Sequence, residues 1–189
     1  MLIRASNSPR RKELLSLITT DFIVRVADVD ETLPDDILPK DAVLYLSELK
    51  ARAVFNGIDT VLGADTIVVL DGEILGKPRD DDEAYSMLRA LSGRKHSVFT
   101  GVTILSQNTG RSFYRETEVY FNELSDEEIW NYIKTGECRD KAGAYGIQGY
   151  GSRFVSKING DYFNVVGLPV SAVYQSLQNM GHFVDNYKE

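Results

Sequence analysis

Residues 63–78 read GADTIVVLDGEILGKP, and this stretch limits the fold more than any other part of the chain. Its centre, Ile67-Val68-Val69-Leu70, is an apolar strand. Asp71-Gly72 follows, a dipeptide suited to the two positive φ angles of a tight hairpin turn, and Glu73-Ile74-Leu75 returns as the partner strand. Asp65 sits where the run enters. Burying a lone carboxylate costs about several kcal/mol unless it meets a cation, hydrogen bonds or a metal, so Asp65 is expected to be used. Lys77, just past the hairpin, is a candidate cation for the same cleft. The plainer alternative is a strand-end aspartate bonded to loop amides, with a solvated lysine nearby.

At 189 residues the chain has room for one sizeable core, or a core with a smaller lobe, so a single α/β domain over 1–189 is expected. A hydrophobic fraction of 43% and a charged fraction of 26% are those of a soluble globular protein. Met1-Leu2-Ile3-Arg4 reaches a charge too soon for a signal peptide, and no apolar run approaches the ~20 residues of a membrane span; a cytoplasmic location is expected. The single cysteine, Cys138, excludes an internal disulfide and a multi-cysteine zinc site. His96 and His182 are the only histidines, so a divalent metal would take oxygen ligands, which favours magnesium or manganese. A net charge of -7 argues against nucleic-acid or anionic-membrane partners. Basic residues nevertheless gather in particular motifs, as a site for a small polyanion requires.

Leu2 to Ala5 reads as a first strand. Ser8 then caps a helix with Pro9 in its first turn and Leu14, Leu15 and Ile18 on one face. Arg10 and Arg11 stand in that first turn, against the macrodipole by about a few tenths of a kcal/mol. Backbone donors and two arginines at a helix start suit a phosphate; the bland reading is that both side chains snorkel into water. Phe22–Val26 is a second strand, followed by the acidic residues Asp28, Asp30, Glu31, Asp35 and Asp36. Pro39 to Asn56 reads as an amphipathic helix (Val43, Leu46, Leu49, Ala53) from which Lys50 and Arg52 project.

Asp80 with Glu83, and Ser125 with Glu128, read as capping boxes of two further helices. Between them lie two long strands, Lys95–Leu105 and a partner ending near Phe121. Thr100-Gly101 marks a bulge or a close approach of ligand or, more plainly, a strand bend, and His96 is expected to be exposed. Residues 140–151, DKAGAYGIQGYG, have neither the spacing of a dinucleotide fingerprint nor that of a P-loop. Gln148 among four glycines suits reading the edge of a planar base. Tyr145, Tyr150 and Tyr162 are candidates for stacking on that base, or for core and rim. Arg153–Ile158 and Tyr162–Val166 are expected as paired strands about Asn159-Gly160, with a last helix from Pro169 to about Met180.

SNSPRRKELL, GADTIVVLDGEILGKP, LSGRKHSVFTGV, DKAGAYGIQGYG and NVVGLP, in that order, together resemble the Maf family, nucleoside triphosphate pyrophosphatases first named for an effect on septum formation. The resemblance implies a long mixed twisted sheet flanked by helices, in two lobes with a central cleft for the nucleotide, akin to the inosine triphosphatase fold. It implies the branch acting on dTTP and UTP, with modified pyrimidine triphosphates as further candidates. Carried over, Asp65 is the proton acceptor. Arg10, Thr66 and Gln148 stand at positions linked with substrate choice, Lys50 and Lys77 contact phosphate, and Ser6 and Arg11 join them in binding substrate. Asp65 and Glu31 are the metal ligands, and whether Asp65 acts as base or ligand stays open at this level. Asn7 departs from the commoner glycine or lysine. The resemblance also implies a homodimer. The alternatives are a non-catalytic nucleotide-binding regulator of septum formation, and a septation factor that uses its acidic face.

Overall fold

The computed structural model describes residues 1–26 and 28–182; residue 27 and residues 183–189 of the domain expected over 1–189 lie outside that description. The elements in chain order are β1 (Leu2–Arg4), α1 (Pro9–Ser16), β2 (Phe22–Val24), α2 (Pro39–Val54), β3 (Thr60–Leu70), β4 (Glu73–Leu75) and α3 (Asp81–Leu91). They continue with β5 (Lys95–Leu105), β6 (Gly110–Phe121), α4 (Asp126–Ile133), β7 (Val155–Asn159), α5 (Tyr162–Val166) and α6 (Val170–Asn179). Short 3-10 turns cover Glu137–Asp140, Ala142–Ala144 and Tyr150–Phe154. The seven strands form one mixed sheet in the order β2-β1-β3-β5-β6-β7, with β4 paired to β3. β1 runs parallel to β2 and β3, whereas β4 is antiparallel to β3 and β7 to β6. Among the described residues no helix is long and apolar enough to cross a membrane.

The chain divides into two compact units. The first comprises Met1–Asp65, Thr100–Arg115 and the chain from Gly167, and the second Thr66–Phe99 and Glu116–Val166. In the first, Ile3, Ala5 and Val61 on one sheet face bury against Ala51 and Val54 of α2. Ala53 is exposed, so the apolar face of α2 is turned slightly from the one its spacing predicts. α2 lies so close to the sheet that two strand positions admit only glycine. A Cβ on Gly63 would stand 2.2 Å from the Ser47 carbonyl oxygen, and one on Gly101 would stand 2.1 Å from that of Val43. What the small residue at Gly101 admits is therefore a helix backbone, which none of the readings offered for Thr100-Gly101 foresaw. Ser8 caps α1 as expected, its hydroxyl accepting from Arg11 N, and Leu14, Leu15 and Ile18 are buried. β2 ends at Val24, two residues short of expectation.

In the second unit, α3 and α4 cover a core of Val68, Leu88, Val98, Val119, Phe121, Ile129 and Tyr132, among others. Cys138 is buried in it. The hairpin between β3 and β4 turns as predicted, with φ of 53° at Asp71 and 88° at Gly72. Ser125 and Glu128 form a full capping box. At α3 the reciprocal bond is displaced by one residue: Asp80 accepts from Glu83 N, but the Glu83 carboxylate accepts from Arg79 N at 2.6 Å.

Two expectations fail here. Tyr162–Val166 is helix α5, not a strand, because Asp161 Oδ1 accepts from Phe163 N at 2.8 Å and starts a turn. Buried Asn164 then donates to the Val98 carbonyl at 3.0 Å and to Thr117 Oγ1 at 2.9 Å, which fixes that turn against the sheet. His96 is buried, only 2% exposed, because it lies in phase with Val98 on the inward face of β5. Its Nε2 pairs with the Tyr145 hydroxyl at 2.7 Å.

Candidate functional site

The first unit gathers a charged cluster. Lys50 lies one turn beyond buried Leu46 on α2, which brings its ammonium to the sheet side of the helix. Nζ donates to Asp65 Oδ1 at 2.6 Å and lies 2.9 Å from Glu31 Oε2. The side chains of Lys50 and Asp65 are 15% and 13% exposed, so this pair is largely withdrawn from water, while Glu31 reaches in from the exposed acidic loop. The lone carboxylate at the strand entrance is thus paired, by a short charge-assisted bond.

The segment between β1 and α1 is tied to itself and to the later chain. Ser6 Oγ accepts from Ser8 N at 3.2 Å and from Arg11 Nη1 at 3.5 Å, and Arg11 Nε donates to the Gly167 carbonyl at 2.9 Å. Arg11 is half-buried and pinned, which rules out the solvated reading for that residue. Burial pushes its guanidinium pKa down; the charges of Asp65 and Glu31 oppose the shift and that of Arg10 adds to it. Arg10, Glu31 and Asp65 therefore all act on Arg11, which also bonds Ser6, and Lys50 links Glu31 to Asp65, so these sequence-predicted residues share one neighbourhood.

Arg4 belongs to this neighbourhood, and the sequence reading passes over it. It is 2% exposed, and Nη1 donates to the Ser8 carbonyl at 2.5 Å. Nε has no hydrogen-bond partner among the described residues. Burial, and then the charge of Arg11, lower its pKa. A buried guanidinium thus props the entrance of α1 from beneath. The available signal is an arginine inside the otherwise apolar run Leu2-Ile3-Arg4-Ala5.

Thr66, Lys77 and Gln148 belong to the second unit. Thr66 is half-buried in β3, Lys77 is exposed after β4, and Gln148 is exposed in the glycine-rich loop. Of the three tyrosines offered for stacking, Tyr145 is buried against His96, while Tyr150 and Tyr162 are exposed.

For a divalent cation the donor chemistry fits. Asp65 Oδ1 and Glu31 Oε2 are both within reach of one ammonium and are hard oxygen donors. Magnesium commonly takes one or two carboxylates and completes its shell with water and substrate phosphates. Among the described residues no three His, Cys, Asp or Glu side chains come together, so a fully protein-bound ion has no site there.

Comparison with known proteins places this geometry in context. A dTTP/UTP pyrophosphatase of Geobacillus sp. (strain WCH70) is 50% identical over 182 residues, spanning 95% of this chain and 98% of its own length. One from Thermococcus onnurineus (strain NA1) is 52% identical over 184 residues, covering 96% and 98%. Among solved structures, a HAM1 protein from Coxiella burnetii shares the fold, with a TM-score of 0.54 over 94% of this chain and 98% of that one, at 13% identity. The Maf-like protein family profile matches residues 1–180. The chain belongs to the Maf family.

Proposed function

We propose that this chain is a nucleotide pyrophosphatase that hydrolyses dTTP and UTP to the nucleoside monophosphate and pyrophosphate, clearing unwanted members of the triphosphate pool. The observation that carries the reading is the near-full-length identity of about half the residues to proteins named dTTP/UTP pyrophosphatase. The paired Asp65–Lys50 site with its arginines supplies chemistry suited to that name. A non-catalytic regulator of septum formation is not favoured, since the relatives are named for an enzyme activity. The acidic-face septation factor leaves the pairing of Lys50 with Asp65, and of Arg11 with Gly167 and Ser6, without a purpose.

Attack of water on the α-phosphorus adds charge to phosphoryl oxygens, and pyrophosphate leaves with more charge than it had. Cations fixed before the reaction therefore stabilise the transition state more than the ground state. Arg10 and Arg11 at the start of α1 supply such cations, and Arg11 pays little reorganisation because Gly167 and Ser6 already hold it. Lys50 supplies a third. Asp65, as acceptor, orients the attacking water and takes its proton at a carboxylate oxygen. Asp65 and Glu31 would hold the magnesium or manganese ion, which supplies charge neutralisation on the phosphates. Lys77 contributes a phosphate contact and Thr66 and Gln148 substrate choice, as the family resemblance implies. Gln148 offers a donor and an acceptor together, complementary to the uracil or thymine edge. The reading extends to modified pyrimidine triphosphates that keep that edge, to a cytoplasmic location where the triphosphate pool lies, and to a homodimer.

The test is product analysis. Incubated with UTP or dTTP and magnesium or manganese, the purified protein should release one pyrophosphate per UMP or dTMP. Release of orthophosphate with UDP or dTDP would place the cleavage elsewhere and refute the proposal. Size-exclusion chromatography with light scattering tests the dimer.

A further inference from the structure

We propose that Glu137 is a positioning residue for base discrimination, holding the 146–151 segment in the shape that presents Gln148. This inference rests on the reading of Gln148 as the side chain that selects the base.

Glu137 begins the 3-10 turn Glu137–Asp140, and its carboxylate folds over the glycine-rich loop that follows. Oε2 accepts from Tyr150 N at 2.8 Å, and Oε1 accepts from Gly151 N at 3.1 Å and from the Tyr132 hydroxyl at 2.9 Å. The same hydroxyl accepts from Gly146 N at 3.1 Å. Gln148 is therefore bracketed: Gly146 is tied through Tyr132, Tyr150 and Gly151 are tied directly, and every tie ends on one carboxylate. The backbone of Glu137 is held as well, because Lys141 Nζ donates to its carbonyl at 2.8 Å and to Asp140 Oδ1 at 2.7 Å.

This arrangement accounts for Gly149. A Cβ there would stand 2.0 Å from Glu137 Oε2 and 2.6 Å from its carboxyl carbon. The φ of Gly149 is -105° and its ψ -142°, outside the regular β and α regions, so a glycine there both admits the carboxylate and eases the backbone. Only an acceptor-only group satisfies three converging donors with two oxygens; an amide would turn its own donors against one of them. Gln148 itself is exposed. Without the carboxylate its place is set by a loop whose amides have lost their partners, and a contact that depends on placing a donor and an acceptor together is lost first.

The experiment compares kcat/KM for UTP and GTP in the full chain and in the variants E137Q, Q148A and E137Q/Q148A, with circular dichroism confirming the fold. E137Q is expected to lower the UTP:GTP ratio about tenfold, mainly through KM for UTP, and the double variant should discriminate no worse than Q148A alone. A merely structural role would depress both substrates in proportion and add to the effect of Q148A; that result overturns the inference. If Q148A lowers the ratio and E137Q does not, the inference fails while base reading by Gln148 stands. If Q148A leaves the ratio unchanged, base reading fails and the inference falls with it. Should E137Q not fold, Y132F removes one of the three donors without disturbing the ring. It is expected to lower the ratio in part, and an unaltered ratio in Y132F would overturn the inference.

Discussion

Lys50 Nζ stands 2.6 Å from Asp65 Oδ1 and 2.9 Å from Glu31 Oε2, so a single ammonium bridges two acids from different parts of the chain. The geometry traces to α2, which lies on the sheet closely enough to exclude a side chain at Gly63. That closeness is what lets a lysine from the helix meet an aspartate from the strand below it.

Replacing Lys50 with methionine keeps the aliphatic stem and removes the charge. The Asp65 carboxylate is then largely buried without its cation, and an expected loss of about 1–3 kcal/mol should appear in urea unfolding at neutral pH. The two carboxylates are also freed, so manganese should bind the nucleotide-free K50M protein more tightly than the unaltered one in calorimetry. Weaker binding would show that Lys50 does not share the ion's position.

Gly101→Ala forces a methyl group against the Val43 carbonyl, with a separation of 2.1 Å before relaxation. α2 must shift, and overpacking of this kind costs about 1–3 kcal/mol or more. Thermal unfolding should show a lower Tm, and an unaltered Tm would mean that α2 is not seated as described.

Burial pushes the His96 imidazole from 6.5 down to about 4. Between those two values the unfolded chain binds a proton that the folded chain refuses, so stability falls as pH drops from 6.5 toward 4 and is unaffected by this group above 6.5. The full difference is about 3 kcal/mol. Unfolding curves for His96→Gln should therefore be flatter than those of the unaltered protein across that window, and parallel curves would contradict the assignment.

Elements set by local chemistry were legible in the sequence. Asp71-Gly72 turns the hairpin and Ser125 with Glu128 starts α4, because each feature is made by residues within a few positions of one another. α5 was not, since the composition Tyr-Phe-Asn-Val-Val suits a strand and the helix is decided by Asn164 finding Val98 and Thr117 far away in the chain. His96 misled for the same reason, its partner Tyr145 lying 49 positions on.

At the site, Asp65 announced itself as a charge in an apolar run, and Lys50 and Glu31 followed from the family resemblance. Arg4 and Glu137 did not stand out. The roles of both are set by partners that the local sequence does not show: the Ser8 carbonyl for Arg4, and the amides of Tyr150 and Gly151 for Glu137.

The central claim is that Asp65, held by Lys50 beside the α1 arginines, serves the chemical step. Its most direct test is Asp65→Asn, assayed in parallel for UTP turnover and UTP affinity. The expected result is a folded protein whose Kd for UTP stays within several-fold while kcat falls by about 100-fold or more. Turnover close to that of the unaltered enzyme would remove Asp65 from the mechanism.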